Sequence, residues 1–161
     1  MNIGDTLTLP VATPIVAEVD VLVAGGGTAG CVAALAAARH GARVLLVERT
    51  GCLGGMVTTG NAGLTMFMKF SGDAAEHSRD QEALGCRPQD VQVAGGIPKE
   101  IADRLIRSGI GIGNDGQAGS YVFTSSEDFK RLLFEMMAEA QVGLRLHSWV
   151  VDVIQDGDRL R

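Results

Sequence analysis

The sequence predicts an α/β fold built on a parallel sheet, and three observations carry this prediction. Residues 19–24 are short, apolar and mostly β-branched, as in a strand buried on both faces. Residues 28–40 are rich in Ala, Val and Leu, which suits a helix packed closely on a sheet, and Gly41 follows where helices commonly end. Residues 43–48, RVLLVE, form a second buried strand. Strand, helix and strand within about 30 residues make a βαβ unit, whose strands are parallel.

A glycine motif joins the first predicted strand to the helix. Gly25, Gly27 and Gly30 have the spacing GxGxxG. In that motif the first glycine makes the sharp turn, the second lets the backbone approach a pyrophosphate, and the third brings the helix close to the strand. Glu48 comes 18 residues after Gly30, near the spacing of an acid that binds ribose hydroxyls. Together these residues predict a Rossmann-like dinucleotide site, the alternative being a glycine-rich helix N-terminus without a ligand.

Two further helices are predicted downstream. Residues 95–109 contain Pro98 near the first turn and apolar residues spaced as on one helix face. Ser125 or Ser126 is the expected N-cap of a helix over about 127–140, whose acidic first turn complements the helix dipole.

The domain boundaries and loops follow from composition. Residues 1–18 are predicted to form an N-terminal arm, in which two prolines interrupt regular structure, and residues 19–161 to form one domain. Residues 51–65 and 110–122 are glycine-rich and are predicted as loops. Residues 71–92 are polar and aperiodic, and we expect them to form an exposed excursion, as a lid, a docking surface or a plain linker.

The C-terminal part predicts one or two strands followed by a hairpin. Residues 143–154 carry the strand pattern, and Asp156-Gly157 is a hairpin turn signal. Only four residues follow that turn. We therefore expect the sheet to be incomplete at the C-terminus, as the start of a β-meander, and its unpaired edge to be completed by further polypeptide.

Composition excludes several classes of function. The chain has 161 residues and a net charge of −5 without a basic cluster, which argues against a nucleic-acid partner. No apolar stretch approaches the length of a membrane span, and the N-terminus does not resemble a secretory signal. The three cysteines are odd in number and lack CxxC spacing, which favours free thiols and a cytoplasmic location. No cluster of side chains has metal-ligand spacing.

Three segments carry a resemblance to a known family. ERTGCLGGMVTTGNAG, GGIPKEIADRL and SSEDFKRLLFEMMAEAQVGLRLHSWVVDVI resemble the N-terminal portion of FAD-dependent oxidoreductases of the "LGGM" type. The resemblance runs from about residue 19 to the C-terminus, interrupted by the excursion at 71–92. It implies a three-layer FAD/NAD(P)-binding Rossmann-like domain with FAD as its cofactor.

The resemblance also implies roles for individual residues. The glycines of the first motif, with the backbone of Thr28 and Ala29, would hold the pyrophosphate. Three further residues would contact the nucleoside: Glu48 at the ribose, Arg49 at the adenine edge and Val150 through its backbone. Those that would lie along the ribityl chain toward the flavin are Gly54, Gly55 and Met56.

The implied activity is hydride transfer between FAD and a small organic substrate. Members of the family continue for several hundred residues, and their catalytic residues lie mostly in that later part, so we name none here. The missing part is expected either as more of the same chain or as a second polypeptide. The alternatives are an NAD-binding module of a dehydrogenase and a non-catalytic partner subunit with the flavin fold.

A few reactive or aromatic residues have two interpretations. Cys52 is a single cysteine where disulfide reductases need two, so an ordinary loop thiol is expected. Covalent flavin attachment through Cys52, His77, Cys86 or His147 is the alternative. Trp149, the only tryptophan, is predicted to pack in the core, with adenine stacking as the alternative.

Overall fold

The computed structural model describes residues 12, 14–60, 95–113, 122–157 and 159–160. The predicted excursion at 71–92 lies outside these residues, as does most of the predicted arm, and residues 14–18 form no strand. The elements in chain order are β1 (Val21–Ala24), α1 (Thr28–Arg39), β2 (Val44–Val47), α2 (Met56–Thr59), α3 (Gly96–Arg107), β3 (Gly111–Gly113), β4 (Val122–Thr124), α4 (Ser126–Glu139), β5 (Gly143–Arg145), β6 (Gln155–Asp156) and β7 (Arg159–Leu160).

A three-stranded parallel sheet lies at the centre of the described chain. Its strand order is β1-β2-β5, with β2 in the middle. Val21 lies opposite Val44 in the first pair, and Leu46 lies opposite Leu144 in the second. The parallel βαβ unit predicted from the sequence is therefore confirmed, and the fold is α/β.

The sheet is buried less evenly than its apolar sequence suggests. Val44 and Leu46 are buried, and Val21 and Val23 pack against the same core. Leu22 points the other way and is 53% exposed, since successive side chains of a strand alternate between its faces. The prediction that the first strand is buried on both faces is therefore wrong for the described residues.

Helix α1 packs directly on β1 and β2. Its side chains Cys31, Ala34 and Leu35 are fully buried, and two of these three are small enough to let the helix approach the sheet closely. The helix ends at Arg39 with His40 as its C-cap, and Gly41 follows with φ +89°, a conformation that glycine adopts without strain.

Helices α3 and α4 complete the core next to α1. The Ser125 hydroxyl accepts a hydrogen bond from the Asp128 amide at 3.0 Å, which confirms the predicted N-cap of α4. An ion pair of 2.6 Å joins Arg39 of α1 to Glu100 of α3. Arg104 of α3 in turn pairs with Glu139 of α4, so charged side chains tie all three helices together.

Three predicted segments change in the structure, the first being the predicted loop over 51–65, which contains helix α2. The segment predicted as a loop over 110–122 begins with β3, which pairs antiparallel with β4. Residues 146–154 form no strand, so the predicted run of one or two strands yields only β5. The predicted hairpin is present, because β6 and β7 pair antiparallel around Gly157, whose φ is +63°.

The described helices include none that is long and apolar enough to cross a membrane.

Candidate nucleotide-binding site

The candidate site lies where the parallel strands β1 and β2 end. In open parallel sheets, ligands bind in the crevice beyond the carboxyl ends of the strands. The loop 25–27 follows β1 there and the loop 48–55 follows β2, so the sheet brings the two glycine-rich segments together.

The loop after β1 depends on glycine at more positions than the motif names. Gly25 has φ +104°, and its amide donates to the Val47 carbonyl at 2.8 Å. A Cβ on Gly30 would lie 1.9 Å from the Gly25 carbonyl oxygen, so a side chain there would displace the helix from the turn. A Cβ on Gly26 would lie 2.7 Å from Leu53. The GxGxxG motif does not name Gly26, although its position between two motif glycines indicated that it belongs to the same tight loop.

Gly27 differs from Gly26 and Gly30 because a side chain there would point into open space, and from Gly25 because its φ is not positive. It has φ −66° and ψ 177°, an extended conformation open to any residue, and a Cβ there would meet nothing within 4 Å. It is also the N-cap of α1, which has no side-chain cap and no acidic residue in its first turn. The amides of Thr28 and Ala29 follow at this end, where the helix dipole favours an anion. Open space at an uncapped helix N-terminus fits a pyrophosphate.

Glu48 holds the first loop in place through its carboxylate. The side chain is 8% exposed. Its Oε2 accepts from the Gly26 amide at 2.6 Å and its Oε1 from the Thr50 amide at 2.7 Å. Burial raises the pKa of Glu48, but these backbone hydrogen bonds outweigh burial and leave the pKa below its ordinary value. A carboxylate offers about four acceptor positions, so acceptor positions remain on Glu48 after the two amides have bonded.

The second glycine-rich loop packs against the first. Gly54 forms a parallel bridge with Gly27, and its amide donates to the Gly26 carbonyl at 2.8 Å. A Cβ on Gly55 would lie 3.0 Å from the Cα of Gly27. Met56, which begins α2, is 73% exposed next to this junction. The predicted pyrophosphate and flavin segments are therefore adjacent.

A pocket of about 190 Å³, here called the strand-end pocket, opens beside the first loop. Ser148 forms part of its wall because its amide donates to the Glu48 carbonyl at 3.0 Å. The residues that line it are Ala24, Gly25, Val47, Glu48, Arg49, Ser148, Trp149 and Val150. Four of the predicted site residues line this pocket, namely Gly25, Glu48, Arg49 and Val150. The other predicted site residues lie in the ranges 27–30 and 54–56, where the two glycine-rich loops meet beside the pocket.

Two free cysteines lie near the site. Cys31 is buried, its thiol donates to the Gly26 carbonyl, and burial raises its pKa to about 12. Cys52 is a half-buried free thiol in the second loop. Cys86 and His77 lie outside the described residues. Covalent flavin attachment stays a prediction. Within the described part of the chain no group of side chains could hold a metal ion.

Trp149 contradicts its prediction. It was expected in the core, but it is 74% exposed and lies in a segment without strand structure. The alternating pattern around it predicted a strand, whereas the chain after β5 turns to run beside residues 48–50 instead.

The parallel βαβ unit and its paired glycine loops define a Rossmann-like dinucleotide-binding domain. A family model described as FAD dependent oxidoreductase matches residues 20–161. The chain therefore belongs to the FAD dependent oxidoreductase family. FAD is its cofactor, as the resemblance implied, and the nicotinamide alternative loses its support.

The solved structures that match this chain are distant in sequence. The myxobacterial halogenase CndH, an FAD-dependent halogenase, is 20% identical with a TM-score of 0.51, and the match covers 88% of this chain and 31% of that one. The Diels-Alderase PyrE3 is 14% identical with a TM-score of 0.51, covering 86% and 27%. THI4 of Thermovibrio ammonificans is 18% identical with a TM-score of 0.49, covering 89% and 45%. This chain spans less than half the length of each. No curated protein matches it significantly.

Proposed function

We propose that this chain is the FAD-binding N-terminal part, or an FAD-binding subunit, of an oxidoreductase that transfers a hydride between FAD and a small organic substrate. When bound, FAD supplies an isoalloxazine ring that accepts or donates a hydride. The residues of this chain bind and orient that cofactor. No catalytic acid or base is proposed among them.

Each part of the site has a proposed role. The amides at the start of α1, after Gly27, bind the pyrophosphate. Glu48 accepts from the ribose hydroxyls with the acceptor positions that its two backbone amides leave available, while Arg49 and Val150 contact the adenine. The residues that lie along the ribityl chain are Gly54, Gly55 and Met56.

The observation that carries the proposal is the open space at Gly27. The neighbouring glycines are needed for the fold of the chain, since Gly26 and Gly30 leave no room for a Cβ. Gly27 has room and an unstrained backbone, so nothing within the described chain requires a glycine there. A ligand that approaches the backbone does require one.

The test is Gly27→Val, with FAD binding followed by equilibrium dialysis and visible absorbance. We expect at least about a tenfold loss of FAD affinity, a change of about 1.4 kcal/mol or more. The free energy of unfolding should fall by no more than about 1 kcal/mol, the usual effect of a poorer N-cap. Ala33→Val is the matched control, since Ala33 is an exposed residue further along α1.

The outcomes separate the proposal from its rivals. Unchanged FAD affinity in Gly27→Val would refute pyrophosphate binding at this helix. Absence of FAD binding by the unaltered chain would favour the non-catalytic partner subunit, and tighter binding of NAD than of FAD would favour a dehydrogenase module.

We also propose that further polypeptide, either more of the same chain or a second one, covers the C-terminal region. Val151, Val153 and Ile154 are each more than half exposed. The β6–β7 hairpin pairs with no other strand of the described residues. Native mass spectrometry of protein from its own source should show the chain with this polypeptide and one FAD. A mass of this chain alone with FAD would count against it.

We infer a reducing, cytoplasmic location from the free thiols of Cys31 and Cys52. Thiol titration of protein from its own source should find these cysteines reduced.

A further inference from the structure

The exposure of Trp149 is unusual for a large aromatic side chain. It is 74% exposed, although a tryptophan offers more apolar area for burial than almost any other residue. Its position is nevertheless well defined by the backbone next to it. The amides of His147 and Ser148 donate to the carbonyls of Thr50 and Glu48, at 3.2 and 3.0 Å, and so hold the segment beside the end of β2.

Trp149 also differs from the other exposed apolar residues of its segment. It lines the strand-end pocket, whereas Val151, Val153 and Ile154 do not. The pocket places Trp149 together with Glu48, a carboxylate near the expected ribose, and Arg49. An aromatic ring and a guanidinium in one pocket are the two side-chain planes on which a nucleobase stacks.

We propose that Trp149 is a specificity-determining residue of this site, and that its indole stacks on the adenine ring of the cofactor. The proposal rests on the proposed function, because it assigns the adenine of FAD to the strand-end pocket. Stacking on a flat aromatic surface favours the larger purine ring over a pyrimidine. Trp149 thereby favours adenine nucleotides over cytidine nucleotides in this pocket.

The chain offers a direct probe, since Trp149 is its only tryptophan. All tryptophan fluorescence therefore reports on this one pocket. AMP and CMP serve as ligands, because neither carries a flavin that would absorb the emission from a distance. We expect AMP to quench the fluorescence saturably in the full chain, and CMP to do so with weaker affinity, because its smaller ring offers less area for stacking.

Variants separate stacking from simple proximity. Trp149→Ala should weaken FAD binding about tenfold in equilibrium dialysis, and Trp149→Phe should restore most of the affinity, because stacking on one residue is worth about this much. Ile15→Ala is the matched control, since Ile15 is 85% exposed and lies outside both the pocket and the C-terminal region. All three should unfold at the temperature of the unaltered chain.

The failures of the two proposals are distinguishable. If FAD binds to the unaltered chain and Trp149→Ala binds it equally well, stacking is refuted while the proposed function stands. Equal quenching by AMP and CMP would likewise overturn it. If Trp149→Ala keeps its FAD affinity but no longer associates with a copurified polypeptide, the indole is an interface residue. If the unaltered chain binds no FAD, both proposals fail.

Discussion

The carboxylate of Glu48 offers the sharpest test of how the site is held together. It accepts from the amides of Gly26 and Thr50, at 2.6 and 2.7 Å, while 8% exposed. Glu48→Gln keeps the shape of the side chain but replaces one of these acceptors with an NH2 group, which cannot accept from an amide. One buried amide therefore loses its partner, and the other keeps only a neutral acceptor.

The size of the effect follows from these two bonds. A hydrogen bond to a charged group contributes about 1.5–3 kcal/mol, and bonds to neutral acceptors are about half as strong. We expect Glu48→Gln to lower the free energy of unfolding by about 2–3 kcal/mol. That is a large share of the roughly 5–15 kcal/mol typical of a folded domain.

The assay is urea unfolding of the full chain without FAD, followed by far-UV circular dichroism. Glu135→Gln is the matched control, because Glu135 is an exposed acid paired with Arg131 on α4. The control should change the free energy of unfolding by less than about 1 kcal/mol, as is usual for a surface ion pair.

The pH dependence gives an independent check. The pKa of Glu48 is lower in the folded protein than its ordinary value of 4.5. Its contribution to stability is thus fully present above pH 4.5 and is lost as the pH falls through the folded-state pKa. The difference between the unaltered chain and Glu48→Gln should shrink in that range. A difference below about 0.5 kcal/mol at neutral pH, or one that persists unchanged into strong acid, would refute this account of the loop.

Three more predictions follow from the described contacts. Gly30→Ala should lower the free energy of unfolding by about 3 kcal/mol or prevent folding, since its Cβ would lie 1.9 Å from the Gly25 carbonyl oxygen; a melting curve like that of the unaltered chain would contradict this. Arg39→Ala should lower it by less than about 1 kcal/mol, and by still less in high salt, because the Arg39–Glu100 pair is partly exposed; a loss that is independent of salt would contradict the ion-pair explanation. Cys31 should resist alkylation at pH 8 until the protein unfolds, since its thiol is buried with a pKa of about 12; peptide mapping that finds rapid modification of the native protein would contradict this.

Most of the fold near the first strand was predictable because its signals are local. The apolar residues that predict β1 lie directly before Gly25, and the small residues that predict α1 follow a few positions after it. The Ser125 cap of α4 is equally local, and it is confirmed by the bond from the Asp128 amide. The prediction failed for residues 146–154, where alternating apolar residues indicated a strand. That pattern describes side-chain order, and it does not specify whether a neighbouring strand is available for pairing.

The sequence by itself determined the βαβ unit, the glycine spacing at the start of α1 and the family resemblance that implied FAD. Each of these depends on residue type at short, fixed spacing, where backbone sterics and helix geometry leave few alternatives. Only the tertiary structure decided that Gly54 pairs with Gly27, that the Glu48 carboxylate binds the Gly26 amide and that Trp149 is exposed in the strand-end pocket. These contacts join residues far apart in the chain. They form because β1 and β2 are parallel, so the loops that follow them begin at the same edge of the sheet.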